Sequence, residues 1–299
     1  MKKHPLLLAL GVCALIVAVF AGGLLLIKQR DGTALFGGKV GVVPVYGLIQ
    51  YSRPFNEAMI KFRRDRSIKA IVIRMESGGG GVAASQEMYR EVLRTARVKP
   101  VVGSMGSVAA SGGYYVLAPC SKILAMPGTI TGSIGVIINI PDAHELMQKI
   151  GLKMQTVRSG ELKGAGMPTR PLSEAERRNL QQLIDETHKQ FVADVARARR
   201  LDPAEVAKLA NGGVISGQRA KKLGLVDAIG NFEDAVDLAA KLGGVKGRPE
   251  LVWPSDSKKS WLARLLRDEL HSFLRDLLSE LSGNNAILQY RYQPPSPAP

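Results

Sequence analysis

The first pattern along the chain is an unbroken apolar one. Pro5 to Ile27 run 23 residues without a charge, between Lys2-Lys3 and Lys28 and Arg30. As a helix rising 1.5 Å per residue this run spans about 34 Å, enough to cross a hydrocarbon core of about 30 Å. It predicts a transmembrane anchor over 5–27 after a short cytoplasmic N-terminus (1–4), followed by a linker over 28–39. A cleaved signal peptide is the alternative. Val19-Phe20-Ala21 offers a small-residue cleavage site, but Leu24 to Ile27 carry the apolar run past it. A lipidated Cys13 fits less well, because Val12 is bulky for the preceding position.

From residue 40 the pattern changes to short apolar runs alternating with helical spacing. Val40 to Ile49, Ala70 to Met75 and Pro100 to Met105 have the length and composition of buried strands. Phe55 to Asp65 and Ala83 to Arg97 have helical spacing, and glycine-rich turns lie at Ser77 to Gly81 and after Met105. Strands alternating with helices predict an α/β domain with parallel strands and right-handed crossovers, placed over 40–245. Ser173 and Glu176 form a capping box before a helix to Leu201, with Leu180, Leu183, Ile184, Thr187, Phe191 and Val195 on one face. His188 borders that stripe and reads as a partly buried structural histidine. Residues 246–283 are read as a C-terminal extension whose Trp261 to Leu281 repeat Leu, Phe and Trp at helical spacing. This amphipathic helix is expected to pack on the body or another subunit; a membrane-surface helix is the alternative, weakened by a polar face that mixes both signs. The tail over 284–299, ending in Gln-Pro-Pro-Ser-Pro-Ala-Pro, reads as disordered.

Composition changes this picture little. The hydrophobic fraction of 45% is explained largely by the first segment. The net charge of +15 is dispersed, aromatics are only 5%, and no nucleic-acid motif accompanies the basic residues. No nucleic acid is expected as a partner; an anionic lipid surface accounts for the charge more simply. Two cysteines, one inside the apolar run, give no disulfide framework. Four poorly placed histidines argue against a Ser–His–Asp triad, and no Cys/His/Asp spacing suggests a metal or a cofactor.

Three stretches carry candidate chemistry. Gly103 to Tyr115 (GSMGSVAASGGYY) places Ser104, Ser107 and Ser111 among small residues between a strand and a helix. A nucleophilic serine needs such a tight turn, and amides opening the helix can hold an oxyanion; close packing alone also explains a Gly/Ser/Ala corner. Four glycines at Gly78 to Gly81 let an extended chain approach the backbone, and no lysine follows in phosphate-loop spacing. Arg158 to Pro168 carries Lys163 among small residues. A free lysine titrates at about 10.4 and serves as a base only where burial lowers it; most lysines are solvated surface charges.

Taken together and in order, these stretches resemble the signal peptide peptidase A family of bacterial membrane-bound Ser–Lys peptidases. IVIRMESGGGGVAAS resembles that family's strand ending in S-P-G-G, with Gly78 where proline is usual and Glu76 where asparagine is common. GSMGSVAASGGYYVLAPC resembles its nucleophile segment, TITGSIGVI the segment of its lysine-orienting serine, and RSGELKGAGMPTRPLSEAER its lysine segment. GGVISGQRAKKLGLVDAIGNFEDAV resembles its closing segment. The resemblance implies a Clp protease/crotonase-like ββα superhelix that needs no cofactor. It implies Ser111 as nucleophile, Lys163 as general base, Ser133 orienting the lysine, and amides of Gly112 and of Gly79 or Gly80 as oxyanion donors. It further implies peptide substrates (signal-peptide remnants or other apolar segments) and a homo-oligomeric ring. The chain is then expected to be single-pass in the bacterial inner membrane, and Lys2, Lys3 and the amino terminus favour a catalytic domain on the extracytoplasmic side. A crotonase-type acyl-CoA enzyme and a non-catalytic membrane scaffold are the competing readings.

Overall fold

The computed structural model describes residues 38–254 and 289–291. The expected anchor over 5–27 and the expected helix over Trp261 to Leu281 lie outside them. Among the described residues no helix is long and apolar enough to cross a membrane.

The alternating apolar runs become a mostly parallel sheet. Its strands are β1 (Lys39–Tyr46), β2 (Ile68–Ser77), β4 (Val101–Ala110), β5 (Lys122–Ala125), β6 (Ile130–Gly132), β7 (Val214–Ser216), β8 (Ala228–Ile229) and β9 (Glu250–Val252), and a short β3 (Gly79–Gly81) lies outside it. The order is β7-β6-β4-β2-β1-β9, with β5 joining β4 to β8; only the β6–β7 pairing is antiparallel. Successive strand residues face opposite layers. Ile71, Ile73 and Met75 of β2 enter the larger core. Ala70 and Val72 enter a second core against Ala235, Val236, Ala239 and Ala240 of α8 (Phe232–Leu242). Each fully buried Ile or Val contributes about 1.5–3 kcal/mol of transfer free energy, so shifting β2 by one residue would invert both cores.

On the larger core lie α1 (Arg53–Arg64), α2 (Val82–Ala96), α3 (Gly112–Leu117) and the C-terminal half of α5 (Glu174–Arg199). α4 (His144–Lys149), α6 (Pro203–Leu209) and α7 (Gly217–Lys222) complete the helices of the described residues. The predicted capping box at Ser173 and Glu176 is present. The predicted stripe on α5 is only partly a core face: Phe191 and Val195 are fully buried, while Leu183 is 45% exposed. His188 is half-buried, as its position beside the stripe suggested.

Two differences from the sequence reading bear on function. The glycine turn contains a strand, β3. Within the tail read as disordered, Gln289–Arg291 form a strand, β10, pairing antiparallel with β3 (Gln289↔Gly81, Tyr290↔Gly80, Arg291↔Gly79). Hydrophobic periodicity cannot reveal either one. Three glycines bear no side-chain pattern, and the polar tail segment gains its conformation from pairing.

Candidate active site

Ser111 follows β4 directly and is the N-cap of α3, with φ 53° and ψ −120°. Ser133 follows β6, with φ 50°. Among the described residues only Ser111, Ser133 and Arg200 are non-glycine residues with positive φ. Such strain persists where the surrounding structure imposes it, and it concentrates at functional sites. β4 and β6 are parallel and pair Ala110 with Gly132, so each serine lies one residue beyond a paired position. Parallel neighbours are about 4.8 Å apart, which brings the two serines together at the carboxyl ends of adjacent strands. The Ser111 amide donates to Gly132 O at 2.8 Å, and the Ser133 amide to Gly213 O at 2.8 Å.

The Ser111 hydroxyl is buried and has no hydrogen-bond partner. Leaving a buried hydroxyl unpaired costs about 1–3 kcal/mol, so the position is retained against its own stability cost. The helix behind it is fixed on two sides. Tyr114 donates its hydroxyl to Leu225 O at 3.0 Å, and Tyr115 donates to the Asp194 carboxylate of α5. Tyr115 also packs between Tyr89, tilted against it, and Phe191, edge-on to it, with ring centroids 4.9 and 4.7 Å away. Gly112 and Gly113 open α3, where a helix leaves its first amides without i−4 acceptors. A Cβ on Gly113 would lie 2.7 Å from Ser77 O, so this corner is glycine because β2 passes against it.

The glycine strand lies on the other side of the same corner. Ile49 N donates to Gly79 O at 2.9 Å and Gly81 N to Ile49 O at 2.8 Å. Ser77, a residue the sequence reading overlooked, orders this segment: its hydroxyl donates to Gly47 O at 2.6 Å and accepts from Gly79 N at 3.1 Å. Its signal was available, since a serine two residues before a glycine is a side-chain turn former. The Gly79 amide is thus taken by Ser77, while Gly80 pairs with Tyr290 of β10. A Cβ on Gly80 would lie 2.2 Å from Ile49 O, a backbone atom with nowhere to retreat. Gly80→Ala is therefore expected to lower Tm by roughly 5 °C as well as to impair turnover. A melting curve superimposable on the parent's would contradict this packing.

The Glu76 carboxylate is bound by the backbone of β4. β2 and β4 lose register between Met75↔Met105 and Ser77↔Ala109, four residues of β4 opposing two of β2. In that bulge the amides of Ser107 and Val108 turn to the Glu76 carboxylate, each at 3.1 Å. A Cβ on Gly106 would fall 1.6 Å from Glu76 Oε2, so Gly106 admits the carboxylate. Glu76 thus replaces lost ladder bonds, and the bulge redirects β4 toward Ser111.

Among the described residues no hydrogen bond joins Lys163 to Ser111 or Ser133. Lys163 sits in consecutive turns (Lys163 N to Gly160 O, Ala165 N to Leu162 O, each 3.1 Å), and its side chain is exposed with no hydrogen bond or ion pair to the described residues. Neither described histidine, His144 or His188, bonds to the Ser111 hydroxyl. Cys120 is buried, and burial pushes its thiol up, away from nucleophilic use. A cleft of about 620 Å³ lined by Arg74, Ser107, Thr129 and Phe232 contains none of Ser111, Ser133 and Lys163. No metal cluster occurs among the described residues.

A parallel α/β sheet presenting a strained serine beside a glycine strand is an arrangement suited to acyl transfer. The chain belongs to peptidase family S49, whose profile matches residues 94–246, a span containing Ser111, Ser133 and Lys163. It is 33% identical over 270 residues to a candidate protease of Methanocaldococcus jannaschii, covering 84% of this chain and 86% of that one. It is 42% identical over 186 residues to Protease 4 of Salmonella typhi, covering 62% of this chain and 30% of that one. A candidate signal peptide peptidase of Enterococcus faecium is 34% identical over 212 residues, covering 70% of this chain and 62% of its own length.

Proposed function

We propose that the chain is a membrane-anchored serine endopeptidase of Clp protease/crotonase-like ββα fold, with Ser111 as nucleophile and Lys163 as general base. The observation that carries this reading is the pair of strained serines at adjacent strand ends, with the Ser111 hydroxyl buried and unpartnered. Ser111 Oγ attacks the scissile carbonyl and its proton passes to the Lys163 amine, which Ser133 orients. The oxyanion is held by the amides of Gly112 and Gly80, a kind of donor worth about 10²–10³ in rate each. The amine then protonates the leaving group, and a water deprotonated by the same lysine releases the acyl chain from Ser111.

Pairing of β10 with β3 supports a peptide substrate. An extended segment already adds to the glycine strand in antiparallel register, and it also lies against α3. A substrate using the same edge gains main-chain bonds independent of its side chains, while the small residues around Ser111 favour small ones. Signal-peptide remnants and other apolar segments meet both conditions, and an anchor over 5–27 in the inner membrane would hold the extracytoplasmic domain near them. Removing residues 289–299 is expected to lower KM for an apolar peptide by about ten-fold, because a tethered competitor acts at about millimolar effective concentration. An unchanged KM would argue against β3 as the peptide-binding edge.

Exposure of Lys163 supports a ring of copies that completes the site. Leu146, Ile150, Leu152, Met154 and Val157 are exposed on the arm leading to it, an apolar run suited to covering by a second copy. The reading is tested by mass-spectrometric survey of products from a mixed peptide pool. Cleavage after small apolar residues is expected; cleavage confined to charged sites, or none, would refute it.

A further inference from the structure

Arg158 and Arg170 bracket the turn that carries Lys163, and both guanidiniums converge on the Glu176 carboxylate at the start of α5. Glu176 is wholly buried, while the two arginine side chains are about one-third exposed. Arg170 grips it with a fork, Nη1 donating to Oε2 at 2.7 Å and Nη2 to Oε1; Arg158 Nη1 donates to Oε1 at 3.4 Å. The same Arg170 Nη2 reaches the carbonyl of Gly164, the residue after Lys163, at 3.4 Å. Behind the turn, Ala143 N donates to Pro168 O at 2.8 Å and His144 Nδ1 lies 3.1 Å from Thr169 O.

The turn has little else to hold it. Gly164 and Gly166 have positive φ, and Leu162 and Met167 are exposed rather than packed in the core. The Arg170 fork first, and the Ser173 amide after it, hold the Glu176 carboxyl well below the usual range, at about 2, so it stays ionised at any working pH. Capping alone does not explain the cluster. The box requires only the bond from Ser173 N to Glu176 Oε2 at 3.0 Å and the bond from Glu176 N to Ser173 Oγ at 3.2 Å. Two guanidiniums on the same buried carboxylate are additional, and a planar fork fixes direction where a point charge would not.

We propose that Glu176 is a positioning residue which, through Arg158 and Arg170, fixes the course of the 158–170 turn and so the direction in which Lys163 is presented. The proposal rests on the reading of Lys163 as the base. Misplacing a catalytic group by about 1 Å can cost 10²-fold in rate. Arg170→Gln leaves the Ser173–Glu176 box intact, so it separates positioning from capping. In the full-length protein it is expected to lower kcat by about 10–100-fold while KM changes less than about two-fold. Hydrogen exchange over 158–170 should rise by at least about ten-fold, with α5 still protected. Glu176→Gln should repeat both effects, and the double variant should be no worse than either single one. Unchanged exchange over 158–170 in Arg170→Gln, or loosening confined to the first turn of α5 in Glu176→Gln, would overturn the proposal. Lys163→Ala that still turns over would instead defeat the base assignment and the positioning role with it, whatever the exchange of the turn.

Discussion

Ser111→Ala is expected to reduce peptide hydrolysis by about 10⁴-fold or more while leaving the protein folded and no less stable. The rate loss follows from the role. Without the hydroxyl no acyl-enzyme forms, and only the oxyanion amides and substrate binding remain. The stability expectation follows from the surroundings. The Ser111 hydroxyl makes no hydrogen bond in its buried place, so removing it relieves about 1–3 kcal/mol of unpaired burial less a small packing loss. The strained backbone, φ 53°, is the same for alanine and contributes nothing to the difference. Tm should therefore stay level or rise. A sharp fall in Tm alongside the lost activity would mean that Ser111 serves the fold and that the nucleophile is elsewhere.

Lys163 gives the second large effect. Its side chain is exposed and makes no hydrogen bond or ion pair with the described residues, so Lys163→Ala should change stability by no more than about 0.5 kcal/mol. Turnover should fall by about 10²–10⁴-fold, the usual range for a general base. Lys163→Arg refines the test. Arginine keeps the charge but does not give up its proton in a protein, so a base requirement makes it as inactive as alanine. Substantial turnover by the arginine variant would show that position 163 supplies charge and that another group takes the proton.

The legible parts of the fold were those written as apolar spacing. β2 and α2 formed where Ala70 to Met75 and Ala83 to Arg97 predicted them, because burying one face is what selects a strand or a helix. The capping box at Ser173 and Glu176 was legible for a local reason: both bonds close within four residues. What escaped depends on distant backbone or on charge. β3 carries no side chains, and β10 is polar and exists through pairing with a strand about 200 residues earlier. Glu76 stood out only as standing where asparagine is common, and only the bulge in β4 reveals the amides that claim it. Arg158 and Arg170 looked like two members of a dispersed basic surface. Their meeting on Glu176 is set by the path of the Lys163 turn, which no periodicity encodes. For the candidate site, Ser111 and Ser133 were legible as residues, but their shared register one step beyond Ala110↔Gly132 required the sheet.

The most direct measurement is to map the adduct left on the full-length protein by a peptidyl β-lactone, whose ring opens as a serine oxygen takes its carbonyl carbon. The proposed mechanism predicts a single stoichiometric ester on Ser111, formed far more slowly in Lys163→Ala. An ester on Ser104, Ser107 or another residue, or labelling of Ser111 at the parent rate in Lys163→Ala, would contradict it.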